Sequence, residues 1–349
     1  MQPNRLSLAV CRALACTGAA ATLSMLWPLA GGAQQTASDY TVPRTAWGDP
    51  DLTGKWPSTE MVGVPMQRDE SLGTRNVLND EEFAERVRRA AAQQEADNAD
   101  FELEAAASTP GGDVGGPVSP PPHWLERGEP QRQASLIVDP PNGRMPAFTE
   151  RAQARQAALR EYRQSRGPAD SYTDRSNYDR CITRGLAGSM LPVIYNNGTQ
   201  IFQSPGYVAI VNEMIHETRI VPLDGRAHVS PEIKMWMGDS VGRFEGDTLV
   251  VATRNFTDRT GVGVNGGGQR HSEALTITER FTRVADDVID YQLTVDDPET
   301  WVSPWTMQFP LKRDDGYGMF EYACHEGNLA MFNILSGHRA EEREAARSR

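Results

Sequence analysis

Residues 274–295, ALTITERFTRVADDVIDYQLTV, decide the fold. Ile289, Tyr291, Leu293 and Val295 alternate with polar neighbours, which is the two-residue period of a half-buried strand. β-branched and aromatic types dominate both arms, and Ala285-Asp286-Asp287 interrupts them, so the stretch predicts a hairpin. Working outward, Trp305, Met307, Phe309 and Leu311 repeat the alternation, and 319–324 reads as one more strand. On the N-terminal side, 200–203, 207–214 and 216–222 read as short strands, and 243–256 as a hairpin across Glu245-Gly246. About eight successive strands without long helices between them imply an antiparallel meander. The fold class is therefore mainly β. Closure into a lipocalin-like barrel is the expected way to remove the sheet edges, with a β-sandwich as the alternative.

The barrel domain is expected over 176–338, with a helix at 327–336 ended by Gly337 and a frayed tail at 339–349. Residues 34–175 read as an irregular wrapping segment carrying two helices. One opens at Asn79-Asp80-Glu81-Glu82 and runs to about 98; the other opens at Thr149-Glu150 and runs to about 163. Between them, 108–122 is too rich in Gly and Pro for regular structure. Residues 1–33 have a basic start, an Ala/Leu-rich middle and a small-residue end, the layout of a signal peptide cleaved after Ala33. That predicts a periplasmic or secreted protein.

Composition narrows the partners. Lys plus Arg number 35 against 47 Asp plus Glu, a formal charge of −12, which argues against a general nucleic-acid binder because phosphate neutralisation needs a concentrated basic surface. Beyond the leader no run is long and apolar enough for a transmembrane segment. Cys11 and Cys16 leave with the leader, so Cys181 and Cys324 remain. In an oxidising compartment they are expected to pair, two separate buried thiols being the alternative.

No G-x-S-x-G elbow, phosphate loop or H-E-x-x-H helix is present. Four segments nevertheless concentrate chemistry. Tyr178-Asp179-Arg180-Cys181-Ile182-Thr183-Arg184 offers two guanidiniums, Arg180 for binding a substrate carboxylate or carbonyl and Arg184 for stabilising developing negative charge. Tyr195-Asn196-Asn197-Gly198 offers a phenol beside a turn. Asn212-Glu213-Met214-Ile215-His216-Glu217, read as a strand, puts Asn212 and His216 on one face, with His216 suited to acid–base work. Cys324-His325-Glu326-Gly327-Asn328 supplies a second imidazole, with Glu326 and Asn328 either orienting it or capping the next helix. A Cys181–Cys324 bond would gather Arg180 and Arg184 beside His325 and Glu326. The imidazoles and carboxylates His216, His325, Glu213, Glu217 and Glu326 match no metal-ligand spacing, so neither a metal nor another cofactor is assigned. The remaining histidines, His123, His228, His271 and His338, read as solvated, and the Gly261–Gly268 stretch as a flexible loop at the barrel mouth.

The segments Trp47-Gly48-Asp49-Pro50-Asp51-Leu52, Leu136-Ile137-Val138-Asp139-Pro140-Pro141-Asn142-Gly143-Arg144, Asp179-Arg180-Cys181, Asn212-Glu213-Met214-Ile215-His216 and Tyr322-Ala323-Cys324-His325-Glu326-Gly327-Asn328 resemble those of an uncharacterised family of exported bacterial proteins. That resemblance implies export and a common fold and carries no reaction. Two functions fit the residues. One is an exported enzyme, a lyase, isomerase, hydratase or hydrolase, in which His216, His325 and Arg184 work on a small, partly apolar organic molecule. The other is a carrier or binding protein that holds such a molecule without turnover. The direction in which His216 and His325 point separates the two.

Overall fold

The computed structural model of the chain describes residues 40–97 and 124–348. The expected leader and the Gly/Pro-rich stretch at 108–122 lie outside the described residues. The rest is mainly β. A four-stranded antiparallel sheet runs in the order β1 (Gly54–Lys55), β3 (Thr199–Ser204), β4 (Tyr207–Asn212), β5 (Thr218–Pro222). A six-stranded antiparallel sheet runs β2 (Ile137–Asp139), β12 (Trp305–Lys312), β11 (Val288–Asp296), β10 (Thr276–Ala285), β7 (Thr248–Arg254), β6 (Asp239–Glu245). The hairpin quoted above is β10–β11, in register from Thr276 opposite Asp296 to Arg283 opposite Ile289.

Neither sheet closes, so the lipocalin-like barrel is not formed. Pro222, which has no N–H to donate, ends β5, and residues 223–238 turn through Gly225 and Gly238 at φ 75° and 69° before β6 begins. No hydrogen-bonded ladder joins β5 to β6. At the other ends β1 and β2 are only two and three residues long, and short edge strands limit pairing with other chains. One apolar core draws on both sheets. Ile201, Val208, Ile210 and Val221 come from the smaller, and Val251, Phe281, Tyr291, Leu293, Met307 and Phe309 from the larger. Within that core Arg219 on β5 forms a bidentate ion pair with Glu279 on β10, whose Oε1 also accepts from Tyr291 Oη at 2.8 Å.

Four α-helices are described: α1 (Asp80–Asp97), α2 (Glu150–Gln164), α3 (Leu186–Met190) and α4 (Leu329–Arg347). The first two match the sequence reading. α4 does not stop at Gly337 but continues through the expected tail, because Ala, Glu and Arg beyond it are good helix formers that offset one glycine. Residues 319–324 form no strand. The glycine-rich stretch is a β8 (Gly261–Val262) and β9 (Gln269–Arg270) hairpin packed closely on α3, not a loose mouth. A Cβ on Gly188 would sit 2.7 Å from both Gly263 O and Gly266 N, so the approach needs a bare backbone there.

Candidate ligand-binding cavity

Cys181 and Cys324 are joined, with Cα atoms 5.6 Å apart across a sequence separation of 143. The bond brings its flanking residues together, and those that meet are tyrosines. Tyr178 Oη lies 2.7 Å from Tyr195 Oη and 3.0 Å from Tyr322 Oη. All three line a cavity of about 1170 Å³, with Trp124, Leu125, Ile194 and Phe320 supplying apolar wall. Burial first, and then the hydrogen bonds with Tyr195 and Tyr322, push the Tyr178 phenol well above its ordinary 10.0. Burial also raises Tyr322, against the opposing pull of its hydrogen bond with Tyr178 and, more weakly, of the Arg184 charge. Tyr178 and Tyr322 are therefore neutral at ordinary pH. Three hydroxyl protons serve two phenol–phenol bonds. The third is left to the Met214 thioether, 3.7 Å from Tyr178 Oη and a weak acceptor, or to a ligand.

Arg184 is 1% exposed and acts electrostatically on Tyr178, Tyr195 and Tyr322. Its Nε and Nη2 are buried without a hydrogen-bond partner. Burial lowers its pKa, yet a guanidinium stays charged. Glu217 is the nearby anion, accepting from Thr183 Oγ1 at 2.6 Å, Ser189 Oγ at 3.3 Å and Arg184 N at 3.4 Å; burial raises its carboxyl despite these bonds.

The opposite wall is held by two carboxylates around one phenol. Tyr317 Oη is 2.8 Å from Glu126 Oε1 and 2.9 Å from Glu213 Oε2, and burial followed by the Glu126 bond raises it far above the tyrosine range. Glu213 also accepts from Asn196 Nδ2 at 2.9 Å and Phe320 N at 3.0 Å, which fixes residues 317–320 in place of the expected strand. Gly198 leaves room for this: a Cβ there would meet Met319 Sδ at 2.3 Å and Glu213 Oε2 at 2.7 Å.

Of the residues singled out in the sequence, Tyr195, Glu213 and Asn328 line the cavity, with Cys181 and Cys324. Asn328 also caps α4, accepting from Met331 N, and donates to Asp179 O at 2.9 Å. Arg184 lies behind the tyrosines. Asn212 and His216 do not share a face: β4 ends at Asn212, and a 3-10 turn with Ile215 at φ 59° breaks the two-residue period. Asn212 is buried and donates to Ser189 O and Thr199 Oγ1. His216 is exposed, its Nδ1 donating to Tyr322 O at 3.0 Å. His325 and Glu326 are exposed and outside the lining. Arg180 is spent on Asn177 and Ser176 and stacks over Tyr172. The gathering of Arg180 with His325 and Glu326 is therefore replaced by a tyrosine cluster backed by Arg184. Glu126, Tyr317, the anchoring role of Glu213 and the hydrogen-bonding role of Tyr178 and Tyr322 escaped the sequence reading. The available signal was position: Tyr178 and Tyr322 stand close before the two cysteines. No known family, curated protein or solved structure matches the chain.

Proposed function

We propose that the protein binds a small, partly apolar organic molecule in this cavity and holds its carbonyl, phenol or enol oxygen against the tyrosine cluster. The observation that carries the reading is the Tyr178–Tyr195–Tyr322 group, with a buried, incompletely bonded Arg184 behind it. A cavity with apolar walls and a few convergent polar groups is the usual form of a small-molecule site. The exposure of His216 and His325 favours binding over the imidazole chemistry expected from the sequence. Export to the periplasm or beyond belongs to the same proposal, supported by the leader-like sequence of 1–33 and by the disulfide.

A second reading, turnover, is favoured by Arg184 alone: a desolvated cation near phenols stabilises an oxyanion that forms in a lyase or isomerase step. The test is a panel of aromatic and polycyclic metabolites read by native mass spectrometry for binding and by product analysis for consumption. Tyr178→Phe weakens binding about tenfold, the ~1.4 kcal/mol of one hydrogen bond. Consumption lost in Arg184→Met but kept in His216→Ala and His325→Ala establishes turnover by the tyrosine–arginine group. Binding indifferent to Tyr178→Phe overturns the site.

A further inference from the structure

We propose that Asp170, His338 and Glu342 form a binding site for a divalent transition cation of the zinc type, cross-linking α4 to the loop that follows α2. His338 and Glu342 stand one turn apart on α4 and so share a face. Asp170 reaches them from the loop. One ligand atom from each residue lies within 4.8 Å of the others, and among the described residues this is the one such group of three or more. His338 Nε2 is 3.1 Å from Asp170 Oδ1 and 3.6 Å from Glu342 Oε1. Ligands about 2.05 Å from a tetrahedral zinc stand about 3.4 Å from one another, so the two separations bracket the required edge.

The surroundings orient each ligand. The second oxygen of Asp170 accepts from Gly167 N at 2.8 Å, and Arg339 Nε lies 3.0 Å from the second oxygen of Glu342. Each carboxylate thus keeps its other oxygen turned to the imidazole. On the far side of the ring Glu341 Oε2 lies 3.5 Å from His338 Nδ1, the carboxylate–histidine relation that directs the opposite nitrogen at a metal. Arg339 also donates to Ala169 O and Asp170 O, so the loop is anchored to the helix independently of the ligands.

A plain His–carboxylate ion pair explains less. One Nε2 proton satisfies one acceptor well, yet two carboxylates converge on that nitrogen. Gly167 is a second, independent sign. Its backbone does not need φ above zero, but a Cβ there would sit 2.4 Å from Asp170 Oδ1 and 2.9 Å from His338 Nε2. The residue type keeps open the space between two would-be ligands. Imidazole with carboxylates suits zinc and neighbouring transition ions better than magnesium or calcium, which prefer oxygen alone. Water would complete the coordination. The ion would matter because α4 buries none of its own side chains and is held by its cap and these contacts.

The experiment is calorimetric titration of zinc chloride into chelator-treated, tag-free full-length protein, with thermal unfolding in parallel. The expected result is one zinc per chain and a rise in Tm with zinc. Affinity falls at least tenfold in His338→Ala, in Glu342→Gln, whose exposed isosteric change leaves the fold intact, and in Gly167→Ala. Failure to bind zinc overturns the proposal, as does an affinity unchanged by Glu342→Gln and His338→Ala. Magnesium binding as tightly as zinc overturns the assignment of ion class.

Discussion

Single residues decide what the interior tolerates, and His271 is the clearest case. Far from being solvated, it is 1% exposed. Its Nδ1 lies 2.9 Å from Ser272 O, a carbonyl that can only accept, so Nδ1 carries the proton and Nε2 accepts from Thr260 Oγ1 at 2.7 Å. That is a neutral ring with both nitrogens used. Burial lowers its pKa below the ordinary 6.5, against the pull of the Ser272 carbonyl. Above 6.5 the folded and unfolded chains are both neutral at this site. As pH falls below 6.5 the unfolded chain binds a proton that the folded one resists, so stability drops until the folded pKa is reached, by up to ~1.4 kcal/mol per pH unit. Urea midpoints between pH 7 and 5 will fall more steeply in the wild type than in His271→Gln. His228, also read as solvated, is tied by Nδ1 to Asp239 at 2.8 Å. Such placements are illegible in sequence because a histidine's burial is set by contacts between strands distant in the chain. The cysteine pair was legible, since compartment and count suffice, but what it gathers depends on rotamers. Arg180 turns toward Asn177, and Tyr178 turns inward.

At the scale of elements, alternation gave the large sheet almost whole: β10, β11 and β12 stand where Phe281, Tyr291 and Phe309 put them. It failed where the period is interrupted by left-handed backbone, as at Ile215 and His216, or where side-chain anchors hold an extended segment outside any ladder, as at 317–320. The number of strands did not decide between closed and open sheets, because closure depends on two ladders, β5 with β6 and β1 with β2, that no residue pattern announces. What joins the sheets instead is the shared apolar core, with one polar link inside it. Arg219 and Glu279 occupy inward positions on β5 and β10 and pair in the core. Glu279→Ala strands a buried guanidinium and the Tyr291 hydroxyl, and will destabilise by about 3–5 kcal/mol in urea unfolding. Replacing both partners, Arg219→Met with Glu279→Leu, leaves no orphan charge and will recover most of that loss. If the single and double variants lose the same stability, the cost lies in packing and not in charge.

For the whole molecule, the disulfide sets stability and site together. It closes a loop of 143 residues that contains every described strand but β1 and β2, and constraint of the unfolded chain grows with loop length. Cys181→Ser with Cys324→Ser will lower unfolding stability by about 2–5 kcal/mol. It will also loosen Tyr322 from Tyr178, so ligand affinity will fall beyond what Tyr178→Phe alone removes. Retained affinity in the double serine variant, measured well below its unfolding midpoint, would show that the tyrosines hold themselves together. The last strand, β12, ends at Lys312, whereas Tyr317, Phe320, Tyr322 and Cys324 follow it. A ribosome that stopped just after Lys312 would have delivered every described strand and none of that wall. Termination between Lys312 and Tyr317 should therefore yield a chain that keeps its sheets but, having lost Tyr322 and the Cys181–Cys324 bond, unfolds at lower urea and retains no ligand, detectable in the cell as reduced abundance with the phenotype of a deletion.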